Sequence, residues 1–127
     1  MAEEKFQNLP KEVLFLNKAI KFCALAHKTG YIVLSSSRID PGTFLTESET
    51  EKYAFQTGIS YGMQKSWQDK LGKIEYSVSH YDNMMVAMVP LLEDHFLLVS
   101  MDSEKQRDVY QIVNGKIIPF LKYAISQ

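Results

Sequence analysis

Two neighbouring segments, MMVAMVPLL (84–92) and HFLLVSM (95–101), are apolar at almost every position, with only Glu93-Asp94 between them. A sheet with one wet face alternates apolar and polar residues, so near-continuous apolar strands must be covered on both faces. The chain therefore needs helices on both sides of its sheet. With a two-residue period, Met84, Val86 and Met88 share one face of the first strand, and Met85, Ala87 and Val89 share the other. Met88 is expected in the core. Met84 and Met85 lie beside the Asp82-Asn83 turn, where burial is weakest, and adaptable thioethers there suit a partner surface.

The remaining elements are set by local chemistry. Asn8 and Pro10 suit a helix start near Leu9, and Val13, Leu16 and Ile20 recur at helical spacing, with Leu14 and Phe15 widening the apolar face. From about Lys21, FCALAHKTGYIVLSS reads as a hairpin whose turn needs Gly30 at positive φ. Asp40-Pro41-Gly42 signals a turn. Thr46 and Glu49 form a capping box that opens a helix over about Glu47 to Lys65, and Gly72 marks the next break. LGKIEYSVSHY alternates, with Ile74, Tyr76 and Val78 opposite Glu75, Ser77 and Ser79. Ser103 with Gln106 opens a last helix that Asn114-Gly115 and Pro119 interrupt. The order is helix, two strands, helix, three strands, helix. This is an α+β plan in one domain over residues 1–127, with residues 1–8 as an N-terminal lead.

Charge and composition exclude several classes. Fourteen basic residues face fifteen acidic ones, a balance that argues against a nucleic-acid binder or a polybasic membrane anchor. No apolar run approaches the length of a membrane span, and MAEEKFQNLP lacks a secretory h-region. The single cysteine, Cys23, fits a reducing compartment, and the expected location is cytoplasmic.

No catalytic constellation emerges. His27, His80 and His95 share no metal-ligand spacing, so neither metal nor cofactor is expected. Cys23 reads as a small buried hydrophobe. Ser35-Ser36-Ser37 lacks a nucleophile elbow, and the six glycines form no phosphate loop. The acids at Glu47, Glu49 and Glu51 sit where the helix dipole favours them. The middle helix carries the sharper feature. Ala54 and Gly58, four apart with Tyr61 beyond, make a smooth patch that either lies on its own sheet or meets a second subunit. Trp67 either anchors an interface or caps the core.

FCALAHKTGYIVLSS, ETEKYAFQTGISYGMQ, the meander GKIEYSVSHYDNMMVAMVPLLEDHFLLVSMD and the closing KIIPFLKYA together resemble the Roadblock (dynein light-chain type) domain of the profilin-like and longin-like group, over about residues 9 to 125. More narrowly, the sequence is similar to a set of small archaeal proteins. The resemblance implies strand order 2-1-5-4-3, the first and last helices on one sheet face and the middle helix on the other. It places His27 beside His95. It further implies a non-enzymatic, homodimerising scaffold or regulator of a small GTPase or other regulatory partner.

In that arrangement the third strands pair edge to edge beneath the middle helices. The dimer interface would take in Ala54, Gly58, Tyr61, Glu75, Ser77 and Ser79, and Ser77→Pro would break the seam at the edge. Trp67, Met84 and Met85 would form the partner surface. The longer lead and the broken last helix depart from the family pattern. An alternative reading is a small-ligand sensor of the PAS or profilin-like sort, with a cavity lined by Tyr76, Tyr61 and Trp67. A third is a hydrolase or transferase using Cys23 or His27.

Overall fold

The structure is a computed structural model that describes residues 6–38, 45–92, 94–102 and 109–126. Helix α1 (Leu9–Leu14) leads into a hairpin of β1 (Ile20–His27) and β2 (Ile32–Ser37). Then come α2 (Glu47–Lys65), the single turn α3 (Gln68–Leu71), and the meander β3 (Ser77–His80), β4 (Met84–Pro90) and β5 (His95–Asp102). The chain closes with α4 (Val109–Ile112), a π-helical turn (Val113–Ile117) and α5 (Ile118–Ser126). All five strands form one antiparallel sheet in the order β2-β1-β5-β4-β3, as the resemblance implied.

The two central strands are covered on both faces, as their composition requires. On one face Cys23, Leu25, Ala87, Val89, Leu97, Val99 and Met101 pack against Leu9, Val13 and Leu14 of α1 and Ile112, Val113, Ile117 and Leu121 of the closing helices. On the other, Ala24, Ala26, Met88, Phe96 and Leu98 receive Ala54 of α2. Cys23 is fully buried, and its burial pushes the thiol pKa far above the usual range, so it is a packing residue.

Three boundaries differ from the sequence expectation. Helix α1 ends at Leu14, and Ile20, placed in that helix by spacing, opens β1 instead. Arg38 is one reason: its guanidinium donates to the carbonyls of Leu14, Asn17 and Ile20, satisfying helix-end acceptors in place of another turn. Phe15 is consequently outside the core and exposed. Strand β3 starts only at Ser77, so Ile74 leaves the alternation, packing with the α2-side cluster while Tyr76 and Val78 pack with the other. Pro119 breaks no helix by itself; it sits in the first turn of α5, where no N–H is needed, directly after the π-helical turn containing Gly115. The Asp40-Pro41-Gly42 turn, Glu93 and the Ser103–Gln106 capping box lie outside the described residues.

Candidate interaction face around the middle helix

Helix α2 begins as its sequence dictates. The Thr46 hydroxyl accepts from the Glu49 N–H at 3.1 Å, and the Glu49 carboxylate accepts from the Thr46 N–H at 2.9 Å. How the helix seats on the sheet is set by small residues. Ala54 rests on Ala24 and Ala26 of β1. Gly58 lies against the β1–β2 turn so closely that an added Cβ would overlap the carbonyl oxygen of Lys28. Gly30, at φ 96°, is tucked under Phe55, whose Cβ is 2.7 Å from where a Gly30 Cβ would stand.

The choice left open by the sequence therefore resolves within the chain. Ala54 and Gly58 are buried on their own sheet and turn, and Tyr61 sits edge-on to Phe96 with centroids 6.3 Å apart. Ala54 and Gly58 cannot themselves contact a second subunit, because their surface is already covered. They seat the helix that would make that contact.

The turn under α2 is itself braced. The Lys28 N–H donates to the Asp94 carbonyl at 2.8 Å, and its ammonium pairs with the Asp94 carboxylate at 3.1 Å. That pairing holds the Asp94 carboxyl below its usual range. Asp94 turns the β4–β5 connection at φ 61°, a conformation aspartate tolerates better than most residues. His27 and His95 do meet, edge to face at 5.1 Å, but the His27 Nδ1 is occupied by the Thr29 main chain and hydroxyl. Among the described residues no group of three or more His, Cys, Asp or Glu is placed to hold a metal ion.

On its far side α2 turns apolar residues outward. Phe55, Ile59 and Met63 are 49%, 50% and 67% exposed, and Trp67, 61% exposed just past the helix end, and Leu71 of α3 continue the row. Four-residue steps advance about 40° around a helix. The row therefore runs from Phe55, above the β1–β2 turn, across the outward face toward the side that overlooks β3. Trp67 thus stands at the surface, not over the core.

The side overlooking β3 is polar. Gln56, Thr57, Ser60 and Gln64 face Ser77, Ser79 and Tyr81 across a cleft of about 350 Å³. The Tyr53 and Tyr81 hydroxyls meet at 3.0 Å and tie the helix to the end of β3. Burial, then that bond, pushes the Tyr53 phenol well above its usual range.

Strand β3 is an edge strand, and its free edge can be read from the ladder. Tyr81 donates to the Met84 carbonyl, and the register pairs Ser79 with Val86 and Ser77 with Met88. Antiparallel alternation then turns the main-chain groups of Ser77 and Ser79 toward β4, and those of Val78 and His80 outward. Ser77→Pro would thus break the chain's own ladder, correcting the expectation that it breaks a seam. Glu75 is exposed and precedes the strand.

The remaining sequence-selected residues are divided. Met84 is half-buried beside the α2 face, whereas Met85 is 3% exposed, so it leaves the expected partner surface. Met85 shares the Ala87–Val89 side of β4 and is flanked in register by His80 and Met101. The ligand cavity expected among Tyr76, Tyr61 and Trp67 does not form. Tyr76 and Tyr61 pack on opposite sheet faces, and Trp67 is exposed.

Among the described residues no helix is long and apolar enough to cross a membrane. Sequence comparison finds no matching family model and no matching curated protein. Comparison of structures does find relatives of the fold. Myxococcus xanthus MglB superposes with a TM-score of 0.68 at 14% identity, over 97% of this chain and 97% of that one. A Roadblock/LC7 domain from Streptomyces avermitilis gives 0.62 at 15% identity over 90% and 95%. The gliding protein MglB from Thermus thermophilus gives 0.61 at 13% over 80% and 73%.

Proposed function

Starting from a fold shared with Roadblock/LC7 domains, we propose that this chain is a non-catalytic, homodimerising interaction module that regulates a small GTPase or a comparable regulatory protein. The observation that carries this reading is the outward apolar row Phe55, Ile59 and Met63 of α2, continued by Trp67 just past its end, beside an open four-residue edge strand. An apolar row of this length on one helix marks an interaction surface more than a monomer's ordinary scatter of exposed residues. Aromatic residues and methionine are the types enriched at such contacts.

In this reading two β3 edges pair through the outward main chain of Val78 and His80. The α2 helices of the two copies then stand side by side over the seam. Ser77 and Ser79 flank it on the helix-covered face, with Gln56, Ser60 and Gln64 above. The apolar rows of both helices join into one surface across the two-fold axis, and this is the face offered to the regulated partner. MglB has also been solved with a tetrameric arrangement, at a TM-score of 0.62 and 14% identity to this chain, so the fold accommodates assembly of several copies.

Cysteines introduced singly at Ser77, Ser79 and His80 test the seam, because Cys23 is buried and does not compete. At least one is expected to give a disulfide-linked dimer under mild oxidation, and a cysteine at exposed Tyr110, on the closing helices that cover the opposite sheet face, is expected to give none. Monomer at all three seam positions would contradict the arrangement. The partner half is tested by anisotropy against small GTPases of the same cell loaded with GDP or a non-hydrolysable GTP analogue. Binding should appear with wild type and be lost in Ile59→Glu.

A further inference from the structure

The sulfur atoms of the described residues divide sharply by burial. Met85, Met88 and Met101 are sealed in the core, Met84 is partly buried, and Met63 is 67% exposed. Cys23 is sealed as well, and burial holds its thiol far above the usual range, so it offers almost no reactive thiolate at neutral pH. Oxidation by a hydroperoxide follows exposure for thioethers, and exposure with thiolate character for thiols. Among the described residues, the sulfur that such an oxidant meets first is therefore that of Met63.

The position of Met63 gives that reaction a consequence. Its side chain stands in the outward row, with Ile59 a turn before it and Trp67 just past the helix end. It belongs to neither core cluster. Its main chain is held by the helix end, the Met63 carbonyl accepting from the Ser66 N–H at 3.2 Å and the Ser66 hydroxyl at 2.6 Å. A change in the side chain thus alters the row without loosening the fold. A thioether is apolar and adaptable, whereas a sulfoxide is polar and costs free energy to bury without a hydrogen bond. Placed at Met63, it would divide the row, with Phe55 and Ile59 on one side and Trp67 and Leu71 on the other.

We propose that Met63 is a reversible oxidation site that switches the outward row of α2 between an apolar, binding form and a polar, silent one. The proposal rests on the reading of that row as the partner face. In the forward step a lone pair of the thioether sulfur attacks the distal oxygen of a hydroperoxide. The S–O bond forms and the O–O bond breaks. The proton of the attacked hydroxyl passes to the other oxygen, which leaves as water or an alcohol. Sulfur is oxidised and the peroxide reduced by the same electron pair. In the return step a dithiol reductase removes the oxygen as water and is itself oxidised to a disulfide, with a separate reductase for each sulfoxide epimer.

Hydrogen peroxide on the full chain tests both halves. Peptide mass spectrometry follows the gain of oxygen at each methionine, and anilinonaphthalene sulfonate fluorescence follows exposed apolar surface. Met63 should gain its oxygen before Met84, and well before Met85, Met88 or Met101. Dye fluorescence should be largely lost as Met63 oxidises and should return when both sulfoxide reductases are added, with the far-UV circular dichroism unchanged throughout. Met63→Leu under the same peroxide should keep whatever fluorescence it starts with, which assigns the loss to Met63. Oxidation of a core methionine as early as Met63 would overturn the proposal. So would fluorescence that survives oxidation at Met63, an equal loss in Met63→Leu, or an untreated chain that binds no dye. Neither readout uses a GTPase or the β3 edge. A chain that passes this test and binds no GTPase would count against the proposed partner and leave the switch standing.

Discussion

Gly58 and Gly62 stand one helical turn apart in α2, and their surroundings set opposite expectations. A methyl at Gly58 meets the Lys28 main chain, which cannot yield without moving the braced turn, whereas nothing lies within 4 Å of a Cβ at Gly62. Gly58→Ala should lower stability by about 1–2 kcal/mol, the overpacking cost exceeding the helix-propensity gain. Gly62→Ala should raise it by up to about 1 kcal/mol. Urea denaturation of both variants checks this, and equal effects would mean that α2 does not sit on the turn as described. Tyr53 carries a second expectation. Its phenol pKa is raised in the folded state, so its contribution is present below the unfolded value and lost as pH rises. Stability should therefore decline above about pH 10, and Tyr53→Phe should flatten that decline. An identical alkaline profile for the variant would show that the Tyr53–Tyr81 bond is not the source.

At the scale of elements, the sequence was most readable where local chemistry and burial agree. The Thr46–Glu49 box, the Gly30 turn and the two-sided burial of β4 and β5 are all consequences of residue type and spacing. What it hid depends on contacts between distant segments. The stop of α1 at Leu14 depends on Arg38, which is 24 residues downstream. Whether Ala54 and Gly58 faced inward or outward depended on the Lys28 turn reaching up to the helix, and no period within α2 records that. The helix also has apolar residues on two sides, so spacing alone did not say which row the sheet would cover. The polar cleft between α2 and β3 was illegible for the same reason: it exists only because of where α2 is seated. The exposed row gives a test at this scale. Met63→Glu and Ile59→Glu should leave thermal stability nearly unchanged, since both side chains are at least half exposed. Loss of several kcal/mol in either would place the row inside the folded subunit's own packing.

For the whole molecule, the two sheet edges differ. Strand β2 carries a register irregularity opposite Leu25 and Ala26, a device that discourages pairing, while β3 shows an unbroken register against β4. The regular edge is also the one flanked by the polar cleft and the end of the apolar row. This asymmetry is why the proposed self-association uses β3. His80→Pro removes an outward donor at that edge without costing a bond to β4, so it should abolish pairing while the subunit stays folded.

The most direct measurement is solution mass by size-exclusion chromatography with light scattering, over a concentration series, for wild type and His80→Pro. Pairing through the β3 edge predicts twice the chain mass of 14.6 kDa for wild type and a monomer for the variant. A wild-type monomer at every concentration, or a variant that remains dimeric, would contradict it.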